Sequence, residues 1–279
     1  MPERFSRRSV EVLENREIAT GHFVTTLGDA QMAALSRPGQ FFQVRLRNGA
    51  GPFLPRPFSM FDWYRDDSGS VAGFKILYKV VGEGTSRLSR LAVGDSVALT
   101  GPLGNEFEMP GEGRRVLMVA GGIGVAPFLA LARACVESGV HGERMELLYG
   151  ARTAGHLVAL DEFRQLGVGV TAATDDDSGP RRASALALLE ERLATFSGDD
   201  RPVVYAAGPT AMLEVLSRLC RRLELDAQVS LEARMICGFA VCNSCAVRVI
   251  SPDSEQGWEY KLVCRDGPVF NACSLYVDR

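Results

Sequence analysis

The sequence predicts a multi-domain chain: an antiparallel β-rich unit over residues 1–111, an α/β unit with a parallel sheet over 112–225, and a small cysteine-bearing unit over 226–279. Three patterns carry that division. Short runs of β-branched and aromatic residues, separated by turn signals, fill the first part. Apolar strand patterns that alternate four times with helical ones fill the second. The third holds four cysteines spaced C-x4-C-x2-C-x18-C.

In the first unit, residues 41–46, 71–81 and 96–100 read as strands, and Arg56-Pro57-Phe58-Ser59 opens another. Pro38-Gly39, Asn48-Gly49, the stretch from Asp66 to Gly69, and Val93-Gly94-Asp95 are the turns between them. Strands at that spacing suit a barrel or a sandwich. Gly111-Glu112-Gly113 reads as a linker. In the second unit, residues 116–120, 145–149, 168–174 and 203–207 read as strands. Helices are expected over 127–138, 158–166, 183–196 and 210–223. Such βαβ units give right-handed crossovers and a parallel sheet covered on both faces. The tail from Asp226 is too short to bury much core alone, so a bound group is expected to substitute for one.

The first three cysteines of that tail lie in Cys237-Gly238-Phe239-Ala240-Val241-Cys242-Asn243-Ser244-Cys245, and the fourth is Cys264. This is the plant-type [2Fe–2S] spacing, in which a tight loop supplies three thiolates and a distant residue the fourth. Two other readings stand beside it. Structural zinc usually uses two C-x2-C knuckles, and here only one pair has that gap. Disulfides need an oxidising compartment, whereas the three arginines of the N-terminus precede no apolar run. Cys135 and Cys220 lie in apolar helical patterns and Cys273 falls nine residues past Cys264. All three read as non-ligands.

A net charge of −3 offers nothing to nucleic acid or to an anionic membrane. No stretch approaches the ~20 apolar residues of a membrane span. A soluble cytoplasmic protein is therefore expected. His22, His141 and His156 share no motif, so no side chain is expected to act as a catalytic acid or base.

Gly121-Gly122-Ile123-Gly124 follows the first parallel strand directly and Pro127 opens the next helix. Glycines there let backbone approach a pyrophosphate at a helix N-terminus. Gly208-Pro209 follows the fourth parallel strand, where, taken alone, it reads as turn punctuation between strand and helix. In the β-rich unit, Arg56 and Ser59 offer a guanidinium and a hydroxyl to a phosphate or a flavin edge. Gly82 and Gly84, followed by Thr85, offer backbone N–H groups to a second phosphate oxygen.

In this order, Arg56-Pro57-Phe58-Ser59, Gly82-Glu83-Gly84-Thr85, the glycine loop, Gly208-Pro209 and the four cysteines resemble the ferredoxin-reductase superfamily. Within it the chain is similar to the electron-transfer subunits of NAD-dependent (class 1B) dihydroorotate dehydrogenases. The most specific parts are Glu232 to Gly238 and the ending Cys264-Arg265-Asp266-Gly267-Pro268-Val269-Phe270. The resemblance implies FAD on a barrel domain, with contacts from Arg56, Pro57, Phe58, Ser59, Leu77, Tyr78, Lys79, Gly84 and Thr85. It implies NAD(H) at Gly121, Gly122, Gly124, Gly208 and Pro209, and a [2Fe–2S] cluster on Cys237, Cys242, Cys245 and Cys264.

Two departures stand out. Ala207 replaces the cysteine that often precedes Gly-Pro in the family, and Asp177 replaces a glycine within a charged run that reads as a solvated loop. The three modules make one chemical argument. NADH gives up two electrons together, a cluster accepts one at a time, and a flavin does both. The chain has no room for the ~250-residue (β/α)8 barrel that would oxidise dihydroorotate. The resemblance therefore implies an FMN-containing catalytic partner, in a heterotetramer serving pyrimidine synthesis. The alternatives are an NAD(P)H–ferredoxin- or hydrogenase-type reductase subunit, and a redox-sensing module without turnover.

Overall fold

Alternating side chains decide the first unit. In the computed structural model, which describes residues 6–46, 54–196 and 201–277, six antiparallel strands close into a barrel. They are β1 (Ser6–Ala19), β2 (His22–Gly28), β3 (Phe41–Leu46), β4 (Arg56–Arg65), β5 (Val71–Lys79) and β6 (Ser96–Leu103), in the order β1-β2-β5-β4-β3-β6. The interior takes every second residue: Val10 and Val12, Phe42 and Val44, Phe74, Ile76 and Tyr78, Val97 and Leu99. Phe42 stacks on Phe74 with ring centroids 4.0 Å apart. The barrel is thus chosen over the sandwich. The expected Asn48-Gly49 turn lies outside the described residues. Two short helices close the ends, α1 (Ala30–Leu35) and α2 (Glu83–Leu88).

The second unit is a six-stranded sheet of β7 (Val116–Gly121), β8 (Met145–Ala151), β9 (Gly169–Thr174), β10 (Val203–Ala207), β11 (Ala227–Ser230) and β14 (Val269–Asn271). Its order is β14-β11-β10-β7-β8-β9, parallel except for β14. The helices are α3 (Phe128–Glu137), α4 (Leu160–Gln165), α5 (Ala185–Leu193) and α6 (Thr210–Leu223). Each boundary has a local cause. A 3-10 turn over Gly122–Val125 comes first, so Pro127 caps α3 instead of sitting in its first turn. Ala159 caps α4 in the left-handed region, and the Ser184 hydroxyl accepts from the N–H of Ala187 to start α5.

The expected boundary at 225/226 does not coincide with a sheet boundary. β11 lies beside β10, and β14 returns after the last cysteine to pair with β11. The cysteine segment is therefore inserted between two strands of the sheet. Its buried residues join the sheet's core: Met235, Cys245, Val249, Leu262, Val263, Cys264 and Leu275 are in one cluster with Val204, Leu216 and Val229. The tail thus shares the core of the sheet and has none to itself. Its own sheet is a hairpin, β12 (Ala246–Ile250) with β13 (Trp258–Leu262).

Barrel and sheet are locked together. Arg133 on α3 donates two hydrogen bonds of 2.7 Å to Asp62 on β4, whose carboxylate is nearly buried. Leu77 and Phe61, on the outer barrel surface, share a core with Phe107, Phe128 and Met118. Asn105, just past β6, accepts from the N–H of Val269 and donates to the Val269 and Asp266 carbonyls. This ties the barrel to the segment that follows Cys264.

Candidate functional site

The cysteine segment solves a spacing problem with a hairpin. Cys245 immediately precedes β12 and Cys264 follows β13 by two residues, while Ala246 pairs with Leu262. The Val263 N–H donates to the Cys245 carbonyl at 3.1 Å. The two thiols thereby meet, with sulfurs 3.3 Å apart. The other two meet through a tight loop in which Gly238, Ala240 and Asn243 all adopt positive φ. Cys237 and Cys242 are 3.4 Å apart there. The N–H groups of Ala240 and Val241 point at the sulfurs of Cys264 and Cys237, at 3.2 and 3.4 Å.

Two thiol pairs are a different donor set from one tetrahedron. Among the described residues no group of three or more His, Cys, Asp or Glu side chains converges on a single-ion site. The grouping fits two metal atoms with two protein ligands each, which is the requirement of a [2Fe–2S] centre and not of structural zinc. The pairs differ in exposure: Cys245 and Cys264 are buried, Cys237 is half-buried and Cys242 is exposed. Hydrogen bonds from Ser244 hold the Cys242 thiol down at about 6, whereas burial pushes Cys264 up to about 12. The seven cysteines include no disulfide, and Cys135 and Cys220 are buried among apolar helix residues as expected.

The two loops of the α/β unit are pressed against each other. β7 and β10 are neighbours, with Ala120 opposite Ala207, so the turns that follow them meet at the point where strand order reverses. A methyl group on Gly124 would lie 2.3 Å from the Ala207 carbonyl oxygen, and one on Gly121 would lie 2.8 Å from Pro209. One on Gly122 would meet nothing within 4 Å, although φ there is +55°. Gly208-Pro209 thus packs directly against the glycine loop. Ala207, just before it, is buried. The charged run near Asp177 is a solvated turn, as expected. Asp177 is exposed, Asp176 accepts from Ser178, and Arg181 makes a two-pronged pair with Glu191.

On the barrel, Arg56, Phe58 and Gly84 line one cleft with Val44 and Leu88, which brings the start of β4 to α2. Arg56 donates to the Leu54 and Pro55 carbonyls and, among the described residues, pairs with no carboxylate. Ser59 is half-buried opposite Phe41, and Pro57 lies opposite Gln43. Three of the expected contacts have side chains already committed elsewhere. Tyr78 lies inside the barrel, stacked on Phe23, with its hydroxyl near Asn15 and Thr25. Leu77 packs into the shared core, and the Thr85 hydroxyl accepts from the N–H groups of Val81 and Gly82 at the head of α2.

Sequence reasoning missed a cluster at this junction. Lys79 donates to Nε2 of His156 at 3.1 Å, which leaves the ring's proton on Nδ1, 3.1 Å from the Thr153 hydroxyl. The His22 ring packs edge-on against His156 with centroids 5.4 Å apart. Burial, and then the charge of Lys79, hold the His156 imidazole below its ordinary value; burial does the same for His22. The partners are separated by up to 134 residues, so no local signal announces them.

Comparison with known proteins decides the family. Residues 232–276 match the iron–sulfur cluster binding domain of dihydroorotate dehydrogenase B, and residues 118–218 match an oxidoreductase NAD-binding domain. The chain is 35% identical over 264 residues to the dihydroorotate dehydrogenase B (NAD(+)) electron transfer subunit of Caldanaerobacter subterraneus subsp. tengcongensis, covering 95% of this chain and 96% of that one. The chain belongs to this family of electron-transfer subunits. The subunit of Bacillus caldolyticus is likewise 35% identical over 268 residues, covering 95% of this chain and 97% of its own. Among solved structures, a chain from a study of electron bifurcation by an NADH-dependent reduced ferredoxin–NADP oxidoreductase superposes with a TM-score of 0.78 at 27% identity. It covers 96% of this chain and 89% of that one. For a dihydroorotate dehydrogenase B electron-transfer subunit, an oxidoreductase with a barrel, a nucleotide-type sheet and an iron–sulfur segment is the expected architecture, and it is the one described here.

Proposed function

We propose that this chain carries electrons between NAD(H) and an FMN-containing dihydroorotate dehydrogenase catalytic subunit. The route runs by way of FAD on the barrel and a [2Fe–2S] cluster at Cys237, Cys242, Cys245 and Cys264. The observation that carries the proposal is the pairing of four thiols at 3.3 and 3.4 Å. When bound, FAD exchanges two electrons with a nicotinamide and single electrons with an iron–sulfur centre.

The chain's own residues bind and orient. Arg56 offers its guanidinium to a phosphate and Phe58 a ring face to a flavin, with Pro57 and Ser59 shaping the strand between them. Leu77, Tyr78 and Lys79 act through backbone, as does Gly84 at α2, whose turn Thr85 fastens. Gly121, Gly122, Gly124, Gly208 and Pro209 frame the nucleotide site, where glycines let the backbone approach a dinucleotide. No side chain is assigned as a general acid or base.

The three functional units are taken as residues 1–111, 112–225 and 226–279, holding FAD, NAD(H) and the cluster respectively. The exposure of Cys242 and of neighbouring Val241 supports a cluster that faces the catalytic partner. The complex is a cytoplasmic heterotetramer passing electrons from dihydroorotate to NAD⁺. Among the described residues, no helix is long and apolar enough to cross a membrane. A ferredoxin-type reductase subunit is the second reading, favoured by the superposition at TM-score 0.78. Copurification separates them. An FMN-bearing partner with orotate-coupled NADH turnover supports the first, and a ferredoxin or hydrogenase partner overturns it.

A further inference from the structure

Gln43 is 2% exposed, and neither its Nε2 nor its Oε1 has a hydrogen-bond partner among the described residues. A buried primary amide unpaired at both ends is costly, and such groups are rare in native proteins. Its position gives the reason. Phe42 and Val44 fill the barrel interior, so strand alternation turns Gln43 outward toward the cysteine loop. Across β3 and β4 it is the direct partner of Pro57, in the segment assigned to the flavin. On its other side it touches Gly238, the residue after Cys237. A methyl group on Gly238 would lie 2.6 Å from Gln43 Cγ and 2.7 Å from its Nε2. Gln43, Thr100, Cys237 and Phe239 line one cavity of about 360 Å³ between barrel and loop.

We propose that Gln43 is a positioning residue of the electron path: its amide N–H donates to the sulfurs of the cluster at the Cys237 corner and raises the cluster's reduction potential. An amide end can be turned either way, so the donor reaches that corner whichever end faces Gly238. Hydrogen bonds to cluster sulfurs stabilise the more negative, reduced state, which is the direction of the expected effect. The inference rests on Cys237 being a cluster ligand.

The test is a potentiometric titration of the cofactor-loaded chain, with the cluster followed by low-temperature EPR and the flavin by visible absorbance. Gln43→Met keeps the length and removes the donor. The cluster midpoint is expected to move to lower potential while the flavin midpoint stays in place. Gln43→Leu also removes the donor and adds no charge, and is expected to move the cluster midpoint in the same direction by a similar amount. A wild-type cluster midpoint in either variant would overturn the proposal, as would a cavity water doing the work of the amide. Loss of the cluster from both variants would reduce Gln43 to packing and overturn it too. A wild type that binds no iron is a different failure, that of the functional reading itself.

Discussion

The nucleotide crevice and the cluster loop are both glycine-bearing turns at the ends of strands, but their groups face different things. At the α/β loops, Gly124 abuts the Ala207 carbonyl, and Gly121 and Gly208 abut each other and the Met212 side chain. Everything that shapes these loops is polypeptide, and the sheet beneath is buried from Val116 to Gly121. In the cluster loop, thiols face thiols in two pairs, and backbone N–H groups point at sulfur. One region is complete as protein. The other presents its sulfur donors in two close pairs.

The largest break in this comparison is a ligand substitution. Cys264→Ser should abolish cluster binding, because the 3.3 Å pair with Cys245 is lost from a buried site. Iron content is expected to fall to background while flavin absorbance persists, since the barrel has its own core. Joint loss of iron and flavin would contradict the separation. In the crevice, Gly124→Ala must push its two loops apart, at a cost of about 2–3 kcal/mol from overpacking and with a marked loss of NADH affinity. Gly122→Ala has room and meets only backbone strain, worth about 1 kcal/mol. Equal effects in chemical denaturation and NADH titration would break the claim that backbone contact shapes the crevice.

A smaller effect belongs to the lock between barrel and sheet. Arg133→Met leaves the buried Asp62 carboxylate without its partner. The expected loss is on the order of 2 kcal/mol, below that of a fully buried pair because Arg133 keeps partial solvent access. The smallest is a pH effect at the His22–Lys79–His156 junction. Both imidazoles are held below the ordinary value of 6.5, so the folded state binds fewer protons than the unfolded chain just below that pH. Their contribution is full above pH 6.5 and declines as pH falls through their lowered values. A thermal unfolding series from pH 8 to 5 should show this limb, and His22→Gln should flatten it.

The features legible in the sequence were those with local periodicity or fixed spacing. β10 and α6 fall where the apolar patterns place them, and the four cysteines lie as two close thiol pairs. The missed elements have physical reasons. β1 is a charged fourteen-residue strand with two register shifts, so its alternation is broken. β11 and β14 are four and three residues long, too short for a pattern, yet they weld the cysteine segment to the sheet. Tyr78 lies at an expected flavin position, but strand alternation turns its ring into the barrel. Gln43 reads as an ordinary polar strand residue, and only burial without a partner marks it.

The central claim is that one chain connects a nicotinamide to an iron–sulfur centre. Anaerobic addition of NADH to the purified, cofactor-loaded chain, followed by low-temperature EPR, tests it most directly. The expected result is the signal of a reduced two-iron cluster, present in the wild type and absent in Cys264→Ser. NADH consumption that bleaches the flavin and leaves a fully assembled cluster oxidised would contradict the account.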